Sequence, residues 1–480
     1  MGSGPGGLQT SYCLTRLGVS HAVLSADWAP AGMFQRFPLF QRLISWTKPY
    51  APAERGSRAY EWYDHNSLLG EERDHKSLVA DFMDGSSYFP SRSEMQKGIE
   101  AFVERAGIEV RYECRWESTR EEDGTFVLST SDGEYRTEIV VFAIGTTTPW
   151  RPPTPGLELV PHYGEAKPLE EYRNKEVFVI GKRNSGFEVG DALLPVARRI
   201  FLGSPSPARI SVVEHAPIGA RARYLQPYED HVFGGGNVLL DVAIDLIERT
   251  ESGYRVTATG TKSKKTSAFE VDEVIAATGF TTPLLDLPKL GVAVFSQGRL
   301  PALTPFWESV SVPGIYFAGS TTQAAAGLNK YGIPANSAAV QGFRYNARVL
   351  AEHIAATRFG RRPTPRALKP ADLVPYLLSE ATEAPELWNQ RSYLARVVSL
   401  GEGGTFDQGI LPLSDFVDSA GPDAVAVAVE TDDTGDIHPA IYLRRSQVVE
   451  EHLLPSHPLH IFRTQEHERQ LSDVLGSYVD

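Results

Sequence analysis

The 480-residue sequence predicts an α/β fold: two Rossmann-like dinucleotide-binding domains and a small C-terminal α+β domain. Three observations carry that prediction. Gly2, Gly4 and Gly7 stand at the spacing G-x-G-x-x-G. A second turn, Gly181 to Gly186, comes directly after the apolar run 177–180. Three further apolar runs, 139–145, 273–279 and 313–319, each end in glycine.

The first turn sets the order of the elements after it. The first glycine permits a tight bend, the second lets the backbone approach a pyrophosphate, and the third lets helix and strand pack closely. Pro5, Gly6 and Gly7 open a helix. Leu8, Tyr12, Leu14 and Leu17 form its apolar stripe, and Gly18 stops it. Residues 21–24 read as a short buried strand. An acid usually accepts the ribose hydroxyls there. Ser25 holds the expected place and Asp27 lies two residues on; both are candidates, with Asp27 slightly favoured. Met1 stands where the last residue of a preceding strand belongs. The expectation is that an apolar strand of about five or six residues precedes it in the native protein.

The net charge of -13 and a pI near 5.5 argue against a nucleic-acid partner. Cys13 and Cys114 lie far apart, so a disulfide scaffold, a cysteine zinc site and a dithiol redox pair are not expected. No apolar run reaches membrane-spanning length, and a cytoplasmic protein is the expectation. His438, His452, His457, His460 and His467 lack metal-ligand spacing and read as surface or structural.

Residues 31–48 are aromatic with scattered basic groups. They suit either a packed loop or the floor under a flat aromatic cofactor. Ser91 and Glu94 make a capping box for a helix to about 105. Strands are expected at 108–113 and 126–130, and a proline-rich linker at 149–156. The second turn comes next, with Arg183 in place of the middle glycine and Asn184 and Ser185 beside it. Arg183 suits either a direct phosphate contact or a plug on a decayed site. Ser204 and Ser206 end the next strand, at 199–202, where a 2′-phosphate is normally distinguished. Gly145, Gly319 and Ser320, with a helix over 337–356, suit the rest of a pyrophosphate and its ribityl chain. The tail reads as helices at 371–379, 385–400 and 466–478 with a hairpin around 432–435. The expected domain ranges are 1–155, 156–288, 289–362 (the return to the first domain) and 363–480.

Gly2-Ser-Gly-Pro-Gly-Gly-Leu-Gln9, Ala143-Ile-Gly145, Gly181-Lys-Arg-Asn-Ser-Gly-Phe-Glu188, Ala277-Thr-Gly279 and Gly319 together resemble the two-dinucleotide-domain flavoproteins. Within them the chain is similar to flavin-containing monooxygenases and N-hydroxylases. It looks closest to the branch of FAD-dependent oxidoreductase domain-containing proteins of the endoplasmic reticulum and their bacterial relatives. Arg36-Phe-Pro38, Leu43-Ile-Ser45, Asn66-Ser-Leu-Leu69, Tyr88-Phe-Pro90, Asn184-Ser185, Gly342-Phe-Arg-Tyr345 and His438-Pro439 carry that closer match. Three positions depart from the pattern. The fingerprint F-x-G-x-x-x-H reads His162-Tyr-Gly164 and then Pro168. The asparagine that such monooxygenases place near the flavin falls near Trp46. Arg183 replaces a glycine.

The resemblance implies FAD in the first domain and NAD(P)H in the second. It implies a monooxygenase acting on a small molecule with molecular oxygen through a flavin C4a-hydroperoxide. The expected reaction is N-hydroxylation or oxygen insertion beside a ketone, in secondary metabolism. Ser45, Trp46, Thr47, Lys48 and Asn329 are the candidates beside the flavin. A flavin reductase or dehydrogenase without oxygen transfer is the alternative, followed by a flavin-containing scaffold protein. A homo-oligomer is compatible with this reading.

Overall fold

The computed structural model describes residues 1–40, 42–211, 220–233, 236–401 and 403–478. The chain forms two compact units. One comprises Met1–Gly32, Ser45–Gly145 and Pro283–Asp480; the other comprises Met33–Ile44 and Thr146–Thr282. Residues 33–44 group with the second unit, and residues 283–480 with the first. The reason lies in the aromatic segment. Phe37 stacks on Tyr163 with ring centroids 5.3 Å apart and meets Phe280 edge-on, so burying it draws residues 33–44 into the second unit.

In the first unit the Pro5–Arg16 helix packs on the Val340–Phe359 helix through Leu14, Val349, Leu350 and Ile354. Val23–Leu24 pairs in parallel with Val110–Arg111, and Val140–Phe142 with Ile315–Phe317. Met1 and Gly2 make one rung between these pairs. The Met1 ammonium donates to Val141 O at 2.7 Å, Ala143 N donates to Met1 O at 2.8 Å, and Gly2 N donates to Leu24 O at 2.7 Å. Beyond that rung lies a cavity of about 350 Å³ walled by Leu14, Val23, Leu128, Ile139, Val141 and Ile354. Burial lowers the pKa of the Met1 ammonium to about 5. A three-stranded meander, Trp116–Glu122, Thr125–Thr130 and Gly133–Thr137, packs Trp116 and Phe126 with Phe142 and Phe317. The capping box is formed: Ser91 Oγ accepts from Glu94 N, and Glu94 Oε2 accepts from Ser91 N at 2.6 Å.

The tail builds a six-stranded antiparallel sheet in the order Arg366–Leu368, Thr405–Pro412, Leu394–Ser399, Ala424–Thr431, Ile437–Arg445, Val448–Leu453. The hairpin expected around residues 432–435 is present. Val425, Val427 and Val429 point to the helices Pro370–Glu383 and Gln465–Leu475, while Ala424, Ala426 and Ala428 pack on the other face with Phe416. The helix expected over 385–400 is corrected. It ends at Asn389, and Leu394–Ser399 is an inner strand. Both faces of that strand are covered and a bulge falls between Val397 and Val398, so the simple alternation of a half-buried strand is lost; Val397 and Val398 favour the extended form.

The second unit is built on a six-stranded sheet in the order Thr266–Val271, Tyr254–Gly260, Asn237–Arg249, Arg199–Ser204, Glu176–Ile180, Glu273–Ala276, beside a short antiparallel pair of Thr148–Pro149 with Phe280–Thr281. The last four strands of the sheet are mutually parallel. The Asn184–Leu193 and Ala222–Phe233 helices cover it through Phe187, Leu193 and Tyr228 against Val177, Val179 and Ile275. This is the Rossmann-like core, strand, glycine turn and helix, that the second turn predicts.

Candidate functional site

The first turn leaves one opening. Gly2 has φ +106, and a Cβ there would stand 2.4 Å from Ala143 O. A Cβ on Gly6 would stand 2.2 Å from Gly319 Cα, and one on Gly7 would stand 2.1 Å from Gly2 O. At Gly4 the nearest atom is Gly32 Cα, 3.9 Å away. Gly4 is also the N-cap of the Pro5–Arg16 helix. No side chain caps that helix, and no acid lies in its first turn. Free N–H groups and an open approach at a helix N-terminus suit an anionic diphosphate. Gly319 packs on Gly6, and Ala318 N donates to Phe142 O, so Gly145, Gly319 and Ser320 lie just past the ends of the paired parallel strands. The donor set fits FAD.

Ser25 and Asp27 separate. Ser25 is buried, shares a hydrogen bond with Ser3 Oγ at 2.8 Å and accepts from Asp27 N at 3.2 Å. Its hydroxyl serves the turn. Asp27 is half-buried.

Residues 45–48 form a short antiparallel bridge with residues 63–65. Ser45 Oγ donates to Asn66 Oδ1 at 2.5 Å, and Asn66 Nδ2 donates to Thr47 Oγ1 at 3.1 Å. Thr47 Oγ1 donates to Asp64 Oδ1 at 2.8 Å. The backbone amides of Asn66 and Ser67 donate to the same oxygen. Asp64 Oδ2 is buried and has no hydrogen-bond partner among the described residues. Trp46 lies against His65, with ring centroids 4.1 Å apart. Lys48 is exposed, with its ammonium 5.7 Å from the centre of the Tyr63 ring. Ser45, Trp46, Thr47 and Lys48 are therefore brought together. Asn329 is not part of that network: it stands exposed in a left-handed turn at φ 44. Asp64, Asn66 and Arg344 were missed as site residues. The motifs at 66–69 and 342–345 contain Asn66 and Arg344, without a role attached, and Asp64 lies outside both.

The second turn repeats the close backbone approaches of the first. Gly181 has φ +138, where a Cβ would stand 2.4 Å from Ala277 O; one on Gly186 would stand 2.2 Å from Gly181 O. Arg183 is the N-cap of the Asn184–Leu193 helix. It is exposed and has no ion-pair partner among the described residues. Asn184 Oδ1 accepts from Arg221 N at 3.0 Å, Ser185 is half-buried, and Ser204 Oγ donates to Ser206 O at 3.2 Å. Lys182 was not foreseen: its buried ammonium pairs with Asp241. This cradle fits a nicotinamide dinucleotide. Near it, His162 is fully buried. Its Nε2 donates to Gly279 O at 2.9 Å while its Nδ1 accepts from Gly164 N, and burial lowers its pKa. It sits edge-on to Phe280, 5.0 Å between ring centres, as a core residue.

Residues 1–319 match the family described as Pyridine nucleotide-disulphide oxidoreductase. The chain belongs to that family. It is a family of FAD- and NAD(P)H-using oxidoreductases with two dinucleotide-binding domains. The chain is similar to FAD-dependent oxidoreductase domain-containing protein 2 of Mus musculus, 26% identical over 448 residues, which is 84% of this chain and 64% of that protein. The Danio rerio counterpart is 30% identical over 225 residues, 45% of this chain and 31% of that protein. The chain thus spans less than two thirds of either. It is 24% identical over 379 residues to the probable indole-3-pyruvate monooxygenase YUCCA4 of Arabidopsis thaliana, covering 68% of this chain and 85% of that protein. Among solved structures, a flavin-containing monooxygenase from Stenotrophomonas maltophilia shares the fold with a TM-score of 0.55 and 20% identity, covering 74% of this chain and 96% of that one. Among the described residues no helix is long and apolar enough to cross a membrane.

Proposed function

We propose that the protein is an NAD(P)H-consuming, FAD-dependent monooxygenase of a small organic molecule, which takes molecular oxygen as co-substrate. The observation that carries the reading is the pair of glycine cradles combined with the cysteine inventory. Gly4 opens one helix N-terminus to a diphosphate and Arg183 stands at the other. Cys13 and Cys114 are both free, and desolvation pushes the Cys13 thiol up to about 11. A hydride accepted from NAD(P)H has no dithiol of this chain through which to leave, and molecular oxygen is the acceptor proposed. Bound FAD supplies the hydride acceptor and the oxygen-reactive centre. Gly2, Gly4, Gly7, Gly145 and Gly319 shape its diphosphate site, Asp27 takes its ribose, and Gly181, Arg183, Asn184 and Ser185 hold the nicotinamide coenzyme. Ser45, held by Asn66, is the polar group that orients substrate, with buried Thr47 and Asp64 fixing Asn66 behind it. N-hydroxylation of an amine or oxygen insertion beside a ketone is the reaction proposed. Two free cysteines favour a cytoplasmic setting.

Pro168 at the histidine place of the monooxygenase fingerprint, with His162 in the core, favours a second reading: a flavin reductase without oxygen transfer. One experiment separates them. The flavin is reduced anaerobically with NADH or NADPH and then mixed with oxygen. Slow return of oxidised-flavin absorbance with little free hydrogen peroxide supports oxygen transfer. Immediate return with one peroxide per flavin supports the reductase.

A further inference from the structure

We propose that Asp241 sets the choice between NADH and NADPH, with Lys182 as its buried counter-ion. This rests on the nicotinamide reading of the second turn. Asp241 lies on the Asn237–Arg249 strand, directly beside Ser204 at the end of the Arg199–Ser204 strand. That strand end is where a dinucleotide fold reads the adenosine ribose, normally with an acid on the strand itself. Here the strand ends in Ser204, whose hydroxyl is turned to Ser206 O, and the acid comes from the neighbouring strand. Its backbone is pinned, since Thr261 N and Oγ1 both donate to Asp241 O, at 2.9 and 2.7 Å. Lys182, in the turn between Gly181 and Arg183, reaches across and donates to Asp241 Oδ1. Oδ2 accepts no hydrogen bond from the described residues. The pair is neutral in sum, so exposure decides which charge a nucleotide meets. The Lys182 side chain is 2% exposed and that of Asp241 is 36% exposed. A ribose therefore meets the carboxylate, which accepts a 2′-hydroxyl hydrogen bond and repels a 2′-phosphate. Lys182 neutralises the acid from below and cannot reach past it.

The test is calorimetric binding of adenosine 5′-monophosphate and adenosine 2′,5′-bisphosphate to the FAD-loaded protein, with circular dichroism as the folding control. Wild type binds the monophosphate two- to tenfold more tightly. Asp241→Asn keeps the side-chain shape, releases the ammonium, and shifts the ratio at least tenfold toward the bisphosphate. Lys182→Met leaves the acid unopposed and shifts the ratio the other way, which makes the proposal testable if one variant misfolds. Wild-type preference for the bisphosphate, or a ratio unchanged within twofold in the folded variants, overturns the assignment to Asp241. If neither nucleotide binds wild type and neither NADH nor NADPH bleaches its flavin, the nicotinamide reading falls and this proposal with it.

Discussion

Arg344 donates from Nη1 to the backbone carbonyl of Asp64 at 2.8 Å, across 280 positions of sequence. The same nitrogen reaches Ser67 O at 2.8 Å, and Nη2 reaches Glu61 O at 3.2 Å. One buried guanidinium from the long helix thus holds three carbonyls of the loop that carries Asp64 and Asn66. Arg344→Met would leave those carbonyls without donors, each at about 1–3 kcal/mol. The expected loss is about 3 kcal/mol or more, read as a lower urea midpoint, together with weaker flavin retention. A midpoint shift worth less than about 1 kcal/mol would show that the loop is held elsewhere.

Gly4 and Gly7 make opposite predictions. A Cβ at Gly4 meets only an ordinary contact with Gly32 Cα at 3.9 Å, at φ -73, so Gly4→Val should fold. Its side chain would occupy the diphosphate's approach, so the purified protein should lack yellow colour. A Cβ at Gly7 would stand 2.1 Å from Gly2 O, so Gly7→Val should lower the melting temperature sharply whether or not flavin is present. Folded Gly4→Val carrying stoichiometric FAD would contradict the assignment of this cradle.

In a chain that begins at Met1, its ammonium couples stability to pH. Its folded pKa is lowered from 8.0 to about 5 by burial. Between those values the unfolded chain binds the proton and the folded chain does not, so stability is full above pH 8 and falls as pH drops toward 5. Three units correspond to on the order of 4 kcal/mol. A five-residue apolar segment appended ahead of Met1 replaces the ammonium with an amide and offers side chains to the adjoining cavity. The expected outcome in thermal unfolding is a higher melting temperature at every pH and the loss of this alkaline-to-acid decline. A decline that persists unchanged in the extended chain would place its origin in other groups.

The glycine turns were legible because their constraint is local: Gly2, Gly7, Gly181 and Gly186 each sit where a Cβ would strike a backbone oxygen. The capping box at Ser91 and Glu94 was legible for the same reason, with both partners three residues apart. Leu394–Ser399 was misread because a strand buried on both faces loses the alternation that marks it. Asp64, Asn66 and Arg344 carried no role in sequence because their meaning is a long-range hydrogen-bond network. Lys182 and Asp241 are 59 residues apart and meet only when two strands are placed either side of a third.

Arg183 decides how the second cradle grips its coenzyme. At the N-cap of the Asn184–Leu193 helix its side chain is exposed and without an ion-pair partner among the described residues. A plug on a decayed site would be buried against the turn, and this side chain is not. Its guanidinium is free to bond a phosphate, and a diphosphate is common to NADH and NADPH. Arg183→Gly should therefore raise KM for both coenzymes by a similar factor in steady-state flavin reduction, about tenfold, with kcat little changed. Discrimination between the two coenzymes should stay within roughly tenfold, about 1.4 kcal/mol, in wild type and variant alike, because Arg183 reads the part they share. An unchanged or lower KM for both would restore the plug. A wild-type preference for NADPH of a hundredfold or more would move the 2′-phosphate contact to another basic residue, such as Arg209 or Arg221.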